Sequence, residues 1–141
     1  MDDARRLYQR AMAGYERAVG KDHLSTLGVA NNLGALELTE GNVADAQTLY
    51  ERALAGREKM LGPEHINTLN TCQHLATALK RRGKRVEALA FFERSYRGYL
   101  KMYANDPTQR DLVQCRKQIE DTAREIGHMG EFLTSTNHST I

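Results

Sequence analysis

The side chains with the widest chemical range in this chain are His23 and His65, each directly after an acid, Asp22 and Glu64. An imidazole beside a carboxylate can act as a general base or join a metal shell. Their spacing favours a different role. The two histidines stand 42 residues apart (65 − 23), and the aromatics Tyr8, Tyr50 and Phe92 are separated by the same step. A pair that recurs with a chain-wide step is a local device, repeated because the local structure repeats. In the turn before a helix, an imidazole nitrogen can accept a bond from a first-turn N–H. That capping role is the expectation for both histidines, ahead of a metal or catalytic one.

Cys72 and Cys115 are 43 residues apart, off that step, and form no CxxC pair. Neither a disulfide framework nor a zinc knuckle is indicated. With no Cys-His-Asn arrangement in view, burial as small reduced thiols is favoured over a nucleophile. The chain has no Gly-rich phosphate loop, no paired catalytic carboxylates and no G-x-S-x-G elbow. The expectation is a protein that is not an enzyme and takes no cofactor and no metal. The run KRRGKR from Lys80 to Arg85 has the composition of an import signal or phosphate patch. Cations in a last helical turn before Gly83 also complement the helix dipole, and that account is preferred.

Composition bounds the rest. A length of 141 residues suits one domain or a short repeat array, and a formal net charge of +2 lacks the basic excess of a dedicated nucleic-acid binder. No apolar run approaches the roughly 18 residues that span a bilayer, and the start MDDARRLYQR has no signal-peptide core. The expectation is an intracellular, cytoplasmic protein with no nucleic-acid and no membrane partner.

The elements that position these residues follow from the 42-residue step. Arg10, Arg52 and Arg94 share it, as do Gly14, Gly56 and Gly98, Gly41 and Gly83, Leu33 and Leu75. Self-similarity at this length marks a solenoid whose units bury their apolar faces on one another. Within a unit, Leu49, Tyr50, Ala53 and Leu54 recur at steps of three and four, which is helical. Gly41-Asn42 and Gly83-Lys84 stop helices, and Gly20-Lys21 and Gly62-Pro63 break the chain half a unit later. The pattern predicts helices over 3–19, 24–40, 43–61, 66–82, 85–103 and 108–126. These make a half-repeat (3–19), two repeats (24–61 and 66–103) and a capping helix (108–126) carrying the stripe Leu112, Cys115, Ile119, Thr122 and Ile126. Residues 127–141 read as a mobile polar tail.

These residues resemble the tetratricopeptide repeat (TPR) family. Leu33-Gly34 is followed by Ala46, Tyr50 and Ala53, then Leu75-Ala76 by Ala88, Phe92 and Ser95, and Ala4, Tyr8 and Ala11 precede both sets. Small residues let paired helices approach while the aromatic fills the gap. A step of 42 exceeds the usual 34, with the extra length in AGREKMLGPEH. Together with Asn31-Asn32-Leu33 and the histidine in the following turn, that length is similar to the kinesin light chain type of repeat. The resemblance covers roughly Ala4 to Tyr103 and implies an all-α, right-handed superhelical solenoid of about six helices in antiparallel hairpins.

The resemblance also implies a protein-interaction scaffold in which the first helix of each hairpin lines a concave, peptide-binding groove. By position, that groove would be faced by Asn31, Asn32 and Ala35, by Asn70, Gln73, His74, Thr77 and Lys80, and by Arg116 of the cap, with Arg81 near one end. Asn and Gln can hold a peptide backbone with both donors and an acceptor. The cations Lys80, Arg81 and Arg116 give an expected preference for an acidic flank on the ligand. The alternative is a structural or self-association segment of a larger regulatory protein. The helix from Asp3 to Val19 reads as the second half of a hairpin, so an exposed face including Leu7, Ala11, Met12 or Tyr15 is expected to support a weak homodimer.

Overall fold

The computed structural model describes residues 2–138, with side chains for 3–128. Among the described residues there are six α-helices and no strand: α1 (Asp2–Val19), α2 (Leu24–Thr39), α3 (Val43–Leu61), α4 (Ile66–Arg81), α5 (Arg85–Met102) and α6 (Arg110–His138). The residues from α2 to α5 form two antiparallel hairpins, α2 with α3 and α4 with α5. Packing of α3 on α4 joins the hairpins, α1 covers one end and α6 the other.

Local chemistry sets the helix ends. His23 Nδ1 accepts from the Ser25 N–H at 3.1 Å, and His65 Nδ1 accepts from the Asn67 N–H at 3.1 Å. Each imidazole thus caps the start of a first helix, where a Ser or Asp more often stands. After α2, Gly41 takes φ +87 while the Asn42 N–H returns to the Glu37 carbonyl at 2.8 Å. After α4, Gly83 takes φ +81 and the Lys84 N–H returns to the Leu79 carbonyl at 2.9 Å. Both stops depend on a residue that enters the left-handed region without a Cβ clash.

Within a hairpin the contact is close. A Cβ placed on Gly34 would lie 2.8 Å from the Tyr50 ring, and one on Gly56 would lie 2.5 Å from Leu27. The second hairpin repeats this with Gly98, where a Cβ would meet Leu69 at 2.5 Å. Tyr50, Leu54, Cys72, Leu75, Ala76, Leu79 and Phe92 belong to one continuous core that crosses from the first hairpin into the second. A smaller cluster of Leu69, Tyr99, Leu112 and Cys115 fastens α6. Along the second helices runs a ladder of ion pairs, Glu16 to Arg52 at 2.7 Å and Glu58 to Arg94 at 2.5 Å. Each pair is part-exposed and is worth roughly 0–1 kcal/mol.

Two features of α6 depart from expectation. Its buried positions follow the previous hairpin by 43 residues, not 42: Leu69, Cys72 and Leu79 are answered by Leu112, Cys115 and Thr122. The two cysteines therefore share a structural position after all. The helix also continues from residue 127 to His138, where a tail was expected. Gly127 has no positive φ to stop it, so its lower helix propensity of about 1 kcal/mol is absorbed. Residues 139–141, the rest of that expected tail, lie outside the described residues.

Candidate peptide-binding groove

The first helices α2 and α4 place the amides side by side with α6. Asn31 is half-buried, and its Oδ1 lies 3.3 Å from His74 Nδ1 across the two hairpins. The His74 ring also rests on Tyr50, with centroids 5.5 Å apart. Burial and the nearby Arg57 guanidinium lower the His74 pKa from its ordinary value. The residue is therefore a neutral hydrogen-bonding link at neutral pH.

Farther along α4, the Tyr99 hydroxyl donates to Asn70 Oδ1 and lies 3.4 Å from Gln73 Oε1. Asn70, Gln73, His74 and Thr77 form one wall of a cavity of about 430 Å³, and Arg110, Asp111, Gln114 and Gln118 of α6 form the other. Thr77 Oγ1 donates back to the Gln73 carbonyl at 3.0 Å. Asn32 and Ala35 are exposed on α2, beside this cavity wall in sequence register but outside its lining.

The cations are arranged differently from the expectation. Lys80 Nζ donates to Gln118 Oε1 at 3.3 Å and sits 3.7 Å from Glu125. Arg81 reaches the Leu38 carbonyl at 2.9 Å, so it ties α4 to α2. Arg116 lies apart from the cavity, beside Tyr96, Leu100, Tyr103 and Pro107. Gln114 and Gln118 face α4, and a residue two steps from either is turned about 200° round the helix. The cation that does line the cavity is Arg110. Arg110, Asp111, Gln114 and Gln118 escaped the sequence reading because the 43-residue register of α6 was hidden. Their signal was a polar row flanking the Leu112–Cys115–Ile119 stripe.

The other reactive residues are structural. Burial pushes the Cys72 thiol up to about 11 and the Cys115 thiol up to about 12, so neither forms a thiolate nucleophile near neutrality. Among the described residues no three His, Cys, Asp or Glu side chains come together as a metal shell, and no helix is long and apolar enough to cross a membrane.

A family model described as Tetratricopeptide repeat matches residues 1–59 and 25–101. The chain belongs to the tetratricopeptide repeat family. Two solved structures are similar to this TPR chain. One is a Podosopora anserina protein of the kinesin light chain class with nearly identical TPR-like repeats, and the other is a single-substitution variant of it. Each has a TM-score of 0.81 and 21% identity over 92% of this chain. The matches cover 61% and 60% of the two solved chains, so this chain spans about three-fifths of their length. The shared feature is the fold. No curated protein matches the chain.

Proposed function

We propose that this TPR chain is a non-catalytic, cytoplasmic interaction scaffold. Its groove between α4 and α6, extended by Asn31 and Asn32 of α2, holds an extended peptide segment of a partner. The observation that carries the reading is how the amides are already bonded. The oxygens of Asn31, Asn70, Gln73 and Gln118 each face a donor of the chain itself: His74 for the first, Tyr99 for the next two, Lys80 for the last. An amide whose oxygen is engaged still has an NH2 group to offer. A wall of NH2 donors joined by Arg110 suits a ligand rich in acceptors, namely backbone carbonyls and carboxylates. The acidic preference then rests on these donors and Arg110, because Lys80 and Arg81 are already bonded within the chain.

The test is titration of the intact chain with acidic and basic fluorescent peptides. Gln73→Glu and Asn70→Asp keep an acceptor for Tyr99 and remove the NH2 donors. Together they are expected to weaken acidic peptides at least tenfold, and parent binding is expected to decline as salt shortens the Debye length to about 8 Å. Equal binding of acidic and basic peptides, or unchanged binding by the double variant, overturns the reading.

A further inference from the structure

Among the residues that line the cavity between α4 and α6, His74 alone is of a type whose charge changes between pH 5 and 8. Its contacts decide which nitrogen can take a proton. Nδ1 lies 3.3 Å from Asn31 Oδ1, and an amide oxygen only accepts, so Nδ1 carries the hydrogen of the neutral ring. Nε2 then keeps a lone pair and has no hydrogen-bond partner among the described residues.

The charges around this ring come from several helices. From α3, the half-buried Arg57 meets only neutral acceptors among the described residues, Thr71 Oγ1 at 2.8 Å and the Asn67 carbonyl at 3.4 Å. No carboxylate offsets that guanidinium. Tyr50 of α3 and Tyr99 of α5 stay protonated, because burial raises both hydroxyls above their ordinary value. From α6 come Arg110 and Asp111, which line the same cavity, and Asp111 also accepts from the Tyr103 hydroxyl at 3.3 Å. α2 presents the neutral Asn31, and α4 itself the neutral Asn70, Gln73 and Thr77. Lys80, farther along α4, is tied to Gln118 and Glu125. Burial, and then Arg57, therefore oppose a proton on the free ring.

We propose that an acidic ligand enters this groove together with one proton, which His74 Nε2 takes from solvent and shares with the ligand carboxylate as a hydrogen bond. This coupling rests on the groove reading above and gives that groove a pH-dependent specificity. A carboxylate against the ring offsets Arg57 and accepts from Nε2–H, so the charged imidazole is favoured in the complex and disfavoured in the free chain. The complex then holds more protons than the free chain, and affinity for acidic ligands rises as pH falls. One linked proton limits that rise to about tenfold per pH unit. For a basic ligand the sign reverses, because the protonated ring repels it. The first hairpin has Asn32 at the matched position, a side chain that takes no proton, so the coupling belongs to the second hairpin.

The test follows the His74 ring in the intact parent chain by proton–carbon NMR, its signal assigned by its loss in His74→Asn. The pH is lowered from 7.5 to 5.5 with and without a saturating acidic peptide, whose side-chain carboxylates, ordinarily at about 4, stay ionised through that range. Binding is expected to raise the His74 midpoint by at least about half a pH unit. Fluorescence titration should show the acidic peptide at least threefold tighter at the lower pH and a basic peptide weaker there, with both trends flattened in His74→Asn. A midpoint that stays put while the acidic peptide binds overturns the coupling and leaves the groove standing. An equal pH trend in His74→Asn also overturns it. Absence of peptide binding across the range removes the coupling and the groove reading together.

Discussion

The hairpins α2–α3 and α4–α5 are held together by nearly the same contacts and show the groove different chemistry. In the seam, Gly34 meets Tyr50 in one hairpin, and Ala76 shares the core with Phe92 in the other. The methyl gained on the first helix accompanies the hydroxyl lost on the second. Leucine sits over glycine in both, Leu27 over Gly56 and Leu69 over Gly98. On the groove side the matched positions are Asn31 and Gln73, then Asn32 and His74. Close packing fixes volume at the seam to within about a methyl group, whereas a polar concave surface carries no such limit. Divergence between the two hairpins therefore lies on the groove face and stays small where helices meet.

The largest test of this contrast is Tyr50→Ala, which removes a ring that is 1% exposed in the core shared by both hairpins. It should cost about 3–5 kcal/mol in denaturant unfolding and melt the two hairpins together. Tyr8→Ala, at the matching half-buried site of α1, should cost clearly less. Equal costs would mean that α1 is as fully packed as α3.

A smaller effect is expected at the leucine sockets. Gly56→Ala pushes a Cβ into Leu27 and should destabilise by about 1–3 kcal/mol, because the surrounding core leaves Leu27 nowhere to go. The same change at Gly14 should stabilise by about 0.5–1 kcal/mol, since the added methyl meets open space and favours the helix. Thermal melts of the pair should move in opposite directions. A shared sign would erase the distinction between filled and open sockets.

The finest test lies in the groove, where His74 takes the place that Asn32 has in the first hairpin. Its pKa is lowered in the fold by burial and then by Arg57, relative to about 6.5 in the unfolded chain. Below about pH 6.5 the unfolded chain binds a proton that folded His74 resists, so stability falls as pH drops through that window. His74→Asn should flatten this part of the pH profile measured by denaturant melts from pH 7.5 to 5. An unchanged slope would assign the acid sensitivity to other groups.

Much of the architecture is legible in the amino-acid sequence. The starts of α2, α3, α4 and α5 at residues 24, 43, 66 and 85 follow from apolar spacing bracketed by glycines. Capping by His23 and His65 was legible because it recurs with the repeat. That Asn70, Gln73, His74 and Thr77 share one face of α4 follows from positions carried over from the tetratricopeptide resemblance. What repetition cannot reveal is a break in the repetition. One extra residue before α6 shifted its phase by about 100°, so that Leu112, Cys115 and Thr122 take the buried places of Leu69, Cys72 and Leu79, while Gln114 and Gln118 line the cavity against α4. The Tyr99 bond to Asn70 was also hidden, since its counterparts at the same register are Arg57 and Tyr15.

That extra residue has a meaning for how such an array can lengthen. The Glu16–Arg52 and Glu58–Arg94 pairs between second helices, and the leucines over Gly56 and Gly98 within the hairpins, are in phase with a 42-residue count. Duplicating one 42-residue block before α6 would therefore reproduce its own splice junction and leave the cap seated on the last copy. Grafting the same block after α6 would meet Ile119 where a small residue has to stand, one residue out of phase. The 42-residue phase thus sets a direction for tandem duplication, which keeps its register when a block is inserted in front of α6 and loses it when the block is joined directly behind α6.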